Sequence, residues 1–150
     1  MAARRYGETM TPREVFLAYS AALDRSELTA MTALVDDSFR LEGAGLDGIG
    51  KPEFMAAMRA QMAAFPDYSE NPTDIQESGD RVSFVAHVTG TQKSVLALPG
   101  MKPVAATGRK IVLPAEPAWV EIRDGKIAVY HVEAVAGGGI GGILSQLGAA

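Results

Sequence analysis

Two side chains able to move protons, His131 and Glu133, stand two residues apart in a run that follows the pair Asp124-Gly125. On a strand, side chains two residues apart share a face, roughly 6.6 Å from one another. One face of residues 126–135 then carries Ile127, Val129, His131, Glu133 and Val135; the other carries Ala128, Tyr130, Val132 and Ala134. Enolisation of a ketone or ester needs a base active near neutral pH and a donor aimed at the developing oxyanion. A carboxylate and an imidazole against an apolar wall both move toward that range. Glu133 is therefore the expected base and His131 the expected acid or oxyanion donor. Tyr19 is an auxiliary donor from the apolar stripe of a helix. The plainer alternatives are a satisfied histidine, a rim carboxylate and a core tyrosine whose hydroxyl finds one partner.

Other candidates carry less. His87 shares its strand face with Ser83, Thr89 and Thr91, which points to solvent. A strongly curled sheet would bring His87 to His131 and a glutamate as metal ligands, but nothing in the spacing demands it, and no metal is expected. Glu116 lies between Pro114 and Pro117; a bulge there could aim it inwards, but the expected state is a loop carboxylate in water. Gly137, Gly139 and Gly142 match the spacing of a dinucleotide fingerprint. That motif needs a following βαβ unit and a later acidic residue, which are missing here. A hinge for a C-terminal flap is the better reading, and no cofactor is expected.

The elements that must position these groups follow from pattern. Thr11-Pro-Arg-Glu14 is a capping box opening a helix, with Val15, Phe16, Tyr19, Ala22 and Leu23 on one stripe. Ser26 would cap a second helix. A strand over 38–42, a glycine-rich loop and a third helix over 53–64 follow, the last carrying Phe54, Met55, Met58 and Met62. Beyond Tyr68 the pattern alternates: strands over 74–78, 81–93 and 109–122, the last interrupted by Pro114 and Pro117. A loop over 94–106 separates the last two. Asp124-Gly125 closes a hairpin. Helices followed by a meander of strands indicate an α+β fold, with helices on one face of a curved antiparallel sheet. Trp119, Phe84, Phe54, Met58, Met62, Val129 and Val135 would line its pocket.

Bulk composition narrows the classes. The 150 residues suit one domain over 11–150 behind a flexible leader of 1–10. With 47% hydrophobic and 21% charged residues, neither disorder nor a membrane class is favoured. A net charge of −4 and scattered basic residues argue against nucleic acid. The lack of cysteine removes disulfides and thiolate chemistry and suits a cytoplasmic location.

The order helix, helix, short strand, helix, long meander resembles the nuclear transport factor 2-like fold. Thr107-Gly108-Arg109, Asp124-Gly125-Lys126-Ile127 and Gly142-Ile143-Leu144-Ser145-Gln146-Leu147-Gly148 resemble the SnoaL-type polyketide cyclase (ester cyclase) branch, over about residues 11–148. The resemblance implies a cone-shaped barrel of curved antiparallel sheet, with three N-terminal helices enclosing an apolar pocket, and a homodimer. Its acid/base aspartate, which serves an intramolecular aldol ring closure, aligns with Val135 or Ala136; a tryptophan common in the last strand aligns with His131. Ketosteroid isomerases share the fold. Tyr19 matches their helix-1 tyrosine, while their two aspartates fall at Gly43, beside Glu42, and near Ala118, two residues after Glu116. The expected function is cofactor-free proton transfer (enolisation, aldol-type cyclisation or isomerisation) on a hydrophobic carbonyl compound. A non-catalytic small-molecule binder, or an enzyme like the ketosteroid isomerases or epoxide hydrolases, is the alternative.

Overall fold

The computed structural model describes residues 10–43 and 48–149. Most of the expected leader, and part of the expected glycine loop, lie outside the described residues. Helix α1, Pro12–Asp24, begins as its sequence dictates. The Thr11 hydroxyl accepts from the Glu14 amide at 3.2 Å, and the Thr11 amide donates to Glu14 Oε1 at 2.9 Å. Thr11→Ala removes one of these bonds and is expected to lower stability by about 1 kcal/mol in urea unfolding. Helix α2 spans Leu28–Ala33 with Glu27, rather than Ser26, at its cap and no side-chain bond there. Strand β1, Val35–Glu42, and helix α3, Lys51–Ala64, follow.

The remaining elements are β2 (Thr73–Ser78), β3 (Arg81–Ala86), β4 (Thr89–Thr91), β5 (Lys110–Val112), β6 (Glu116–Arg123), β7 (Lys126–Val132) and α4 (Gly139–Gln146). Five strands form one sheet in the order β1-β7-β6-β3-β2, and β4 pairs with β5 in a separate ribbon. The fold is α+β, but two features of the expected barrel are corrected. The sheet is mixed, because β1 runs parallel to β7. It is also open, because the outer strands β1 and β2 do not pair to close it. The long connection from β1 through α3 and the meander to β7 is what parallel pairing requires.

The expected strand over 81–93 is two strands. After Ala86 the chain leaves β6, and the His87 amide donates instead to the Glu70 carbonyl at 2.6 Å. The prolines interrupt 109–122 as expected, leaving β5 and β6. At the hairpin between β6 and β7, Asp124 (φ 51°) and Gly125 (φ 75°) both adopt the left-handed conformation that a two-residue turn matching strand twist requires.

One irregularity inverts the face assignment of β7. Glu121 pairs with Val129 while Ile122 pairs with Ile127, so Ala128 is an extra, bulged residue. Alternation shifts by one. Ile127, Tyr130 and Val132 join the core, and Val129, His131 and Glu133 belong to the other side.

Two apolar clusters fill the interior. In the first, α1 packs Val15, Phe16, Tyr19 and Leu23 against Val82, Phe84, Val120 and Tyr130 of the sheet. Phe16 and Phe84 lie 4.3 Å apart, and Tyr130 meets the Phe84 ring edge-on at 5.9 Å. In the second, Phe65, Leu96, Ile111 and Leu113 cluster with Ile140 and Ile143 of α4 and with Leu147 just past its end. The segment over 94–106 is pinned rather than free. Buried Gln92 donates to the carbonyls of Val104 and Ala105 and accepts from the amide and hydroxyl of Thr107. Its own Leu96 and Leu98 are buried.

Candidate functional site

A cavity of about 80 Å³ lies where the two clusters meet. This exceeds the roughly 10–15 Å³ that one water needs. Helix α1 supplies Tyr19, α3 supplies Phe54, Met58 and Gln61, and α4 supplies Ile140 and Ile143. Tyr68 and Glu70 come from the segment before β2, Glu116 opens β6, and Tyr130 and Val132 end β7. The lining is apolar apart from two carboxylates, three phenols and one primary amide.

Glu70 is the most perturbed of the carboxylates. It is 9% exposed and accepts a short hydrogen bond from the Tyr130 hydroxyl. Burial pushes its pKa up to about 7; the Tyr130 bond opposes this, and the nearby charges of Glu116 and Asp24 add to it. Glu116 is 4% exposed, and burial raises its pKa too, against the pull of the Gly139 amide on Oε2 at 3.0 Å. Burial first, then the charge of Glu70, raises the pKa of Tyr19, Tyr68 and Tyr130. Those phenols are therefore donors, not bases.

Several polar groups meet the cavity without a protein partner among the described residues: the Gln61 side-chain amide and the hydroxyls of Tyr19 and Tyr68. No sealed side-chain nitrogen or oxygen lacks a hydrogen bond, so these atoms border the cavity space. Glu116 faces two ways. Besides the cavity, it lines a second pocket, of about 110 Å³, with Glu133, Val135, Gly138 and Gly139.

Residues 16–130 match the sequence profile of the SnoaL-like domain. The chain belongs to this family. A candidate polyketide cyclase from Pseudomonas putida KT2440 superposes with a TM-score of 0.66 at 26% identity, covering 91% of this chain and 98% of its own. IdmH, a candidate polyketide cyclase from Streptomyces antibioticus, gives 0.68 at 22%, covering 93% and 99%. AclR, a candidate hydroxylase from Streptomyces galilaeus, gives 0.72 at 20%, covering 91% and 95%. No curated protein matches.

Within this SnoaL-like domain, the residues expected from sequence divide sharply. Tyr19, Phe54 and Met58 line the cavity. Phe84 and Met62 are buried in the core beside it but do not line it. Trp119, His131 and Val129 lie on the opposite face of the sheet. There His131 stacks on Trp119 at 5.0 Å, and the Arg81 guanidinium lies 3.9 Å from the Trp119 ring centre. His131 Nδ1 is 3.0 Å from Glu42 Oε1. Val129 is buried there, flanked in register by Arg40 and Glu121. Glu133 is exposed just past β7 and, with Val135, lines only the second pocket. The physical reason is the Ala128 bulge: it turns the His131 and Glu133 face away from the helices.

The ring of His87 pairs with the Thr73 hydroxyl at 2.9 Å. Among the described residues no cluster of histidine, aspartate and glutamate could hold a metal ion, and no helix is long and apolar enough to cross a membrane. The glycine run is not simply a loop, since α4 begins at Gly139 and places Ile140 and Ile143 on the cavity. Sequence reasoning missed Glu70, Tyr68, Tyr130 and Gln61. Tyr130 could have been found had the bulge been recognised. Glu70, in the polar string Asp67-Tyr68-Ser69-Glu70-Asn71, carries no sequence signal of burial.

Proposed function

We propose that this SnoaL-like protein enolises a small hydrophobic carbonyl compound in the cavity, with Glu116 as base and the Tyr130–Glu70 pair on the acid side. The observation that carries this reading is two buried carboxylates, one hydrogen-bonded to a phenol, lining one otherwise apolar cavity. The candidate polyketide cyclases among the structural neighbours support carbonyl chemistry of this kind.

Glu116 Oε2 is occupied by the Gly139 amide, which leaves Oε1 to take a proton from the α-carbon. The C–H electrons become the enolate double bond, and the carbonyl π electrons move onto oxygen. With Glu70 protonated, the bond between the two reverses on substrate binding: the Glu70 carboxyl O–H donates to the Tyr130 oxygen, which frees the Tyr130 hydroxyl to donate, with that of Tyr19, to the enolate oxygen. The nucleophilic carbon then takes back the proton, or attacks a second carbonyl of the same molecule. In the second case the new alkoxide takes the proton from Glu116. No external co-reactant is needed.

Deuterium uptake by cyclic and aromatic β-keto esters, followed by NMR, tests this reading. Catalysed exchange in the wild type is the supporting result; exchange no faster than background opposes it. His131→Ala and Glu133→Gln, both outside the cavity, are expected to keep the wild-type rate within about twofold.

A further inference from the structure

We propose that the same cavity binds small hydrophobic ammonium ions, an inference that goes beyond the enolisation reading and does not depend on it. The cavity lining holds Glu70 and Glu116 and no lysine, arginine or histidine. An ammonium group carries three donors and no acceptor. The lining answers with carboxylate oxygens and with the unpartnered carbonyl of Gln61, which is 6% exposed and whose side-chain amide has no protein partner among the described residues. The Tyr19 hydroxyl, equally unpartnered, is a further acceptor. The rings of Phe54 and Tyr130, 6.3 Å apart, both line the cavity, and aromatic rings attract cations in desolvated sites.

Charge decides between ligand classes. A buried cation is costly unless paired, and here two carboxylates wait for one. An anionic ligand meets the phenol and amide donors but also the repulsion of two carboxylates, with no cation in the lining to offset it. A neutral molecule of the same shape leaves both carboxylates without a counter-charge. The groups facing Glu70 reinforce this from every side. Asp24 ends α1 and accepts from Ser69 at 2.6 Å, Glu116 opens β6, and Tyr19, Tyr68 and Tyr130 are phenols. His87 meets Glu70 through its backbone amide, while its ring pairs with Thr73. The affinity for a cation therefore grows as the pair loses its protons.

The test compares isopentylammonium with isopentanol, a neutral probe of nearly the same shape, by NMR titration of the full chain. At about pH 8 the ammonium ion is expected to bind at least about tenfold more tightly. At about pH 5, with Glu70 protonated, the preference should shrink to about threefold or less. The double variant Glu70→Gln, Glu116→Gln should lose the preference while keeping its affinity for isopentanol, which shows that the fold persists. Equal affinities at the higher pH, a preference that ignores pH in the wild type, or a preference that survives in a folded double variant would each overturn the proposal. The wild-type pH series decides the matter even if the double variant does not fold. Catalysed deuterium exchange without ammonium preference sinks this inference alone; ammonium preference without exchange sinks the enolisation reading alone.

Discussion

Glu116→Gln is expected to slow α-proton exchange by about 10²–10⁴-fold, the usual contribution of a positioned general base. Glutamine keeps the volume of the side chain and can still accept from the Gly139 amide. The packing of α4 against the cavity should therefore survive, and with it the binding of neutral ligands. The loss should appear in kcat, with KM little changed, because the proton is removed only on the way to the transition state. A structural role predicts something else: loosening of α4 would raise KM and lower stability together. Thermal unfolding and NMR titration with isopentanol, run beside the kinetics, separate the two.

Glu70→Gln should change how stability depends on pH. In the unfolded chain Glu70 loses its proton near 4.5, whereas in the folded protein it holds the proton up to about 7. The stability this gives the fold is fully present below about pH 4.5 and is lost as pH rises through about 7. The magnitude is about 3 kcal/mol, because burial of the carboxylate is nearly complete. Glutamine stays neutral throughout and removes that loss. The Tm difference between variant and wild type is expected to grow in the variant's favour by about 6–12 °C from pH 5 to pH 8. Taking the change with pH cancels the cost of the altered Tyr130 bond that is common to both conditions. The same substitution should abolish the fall in activity above about pH 7, since that limb reflects ionisation of Glu70. A wild-type Tm curve already flat across this window would mean that Glu70 is ionised in the folded protein.

The two predictions bear on different halves of what the sequence conveys. The architecture is written in local signals. Thr11 and Glu14 mark the start of α1, Asp124-Gly125 marks the hairpin, and Pro114 and Pro117 mark the break before β6. Each acts within a few residues, so each survives reading in one dimension. The site depends on relations that are not local. Which face of β7 looks inward is settled by one bulged residue, Ala128, in a run of apolar residues where either phase looks equally good. His131 and Glu133 are titratable neighbours in sequence, yet one extra residue upstream sends them to the outer face.

Glu70 shows the converse. Its neighbours in sequence are polar, and its burial comes from Tyr19, Tyr130 and the apolar residues around them, contributed by distant segments. Glu116 lay between these cases. The flanking prolines showed that the strand was interrupted there, and only the packing of α4, whose Gly139 amide it holds, shows that the carboxylate is enclosed. Parallel pairing of β1 with β7 was hidden for the same reason, because register between strands so far apart is set by tertiary packing.

Proton transfer is expected to run through the carboxylates of the cavity and not through the titratable pair on the outer face. The most direct measurement is deuterium exchange into a cyclic β-keto ester at neutral pH, with wild type, Glu116→Gln and the double variant His131→Ala, Glu133→Gln side by side. Exchange is expected to disappear in Glu116→Gln and to persist in the outer-face double variant. Exchange that persists in Glu116→Gln and disappears when His131 and Glu133 are replaced would contradict this expectation.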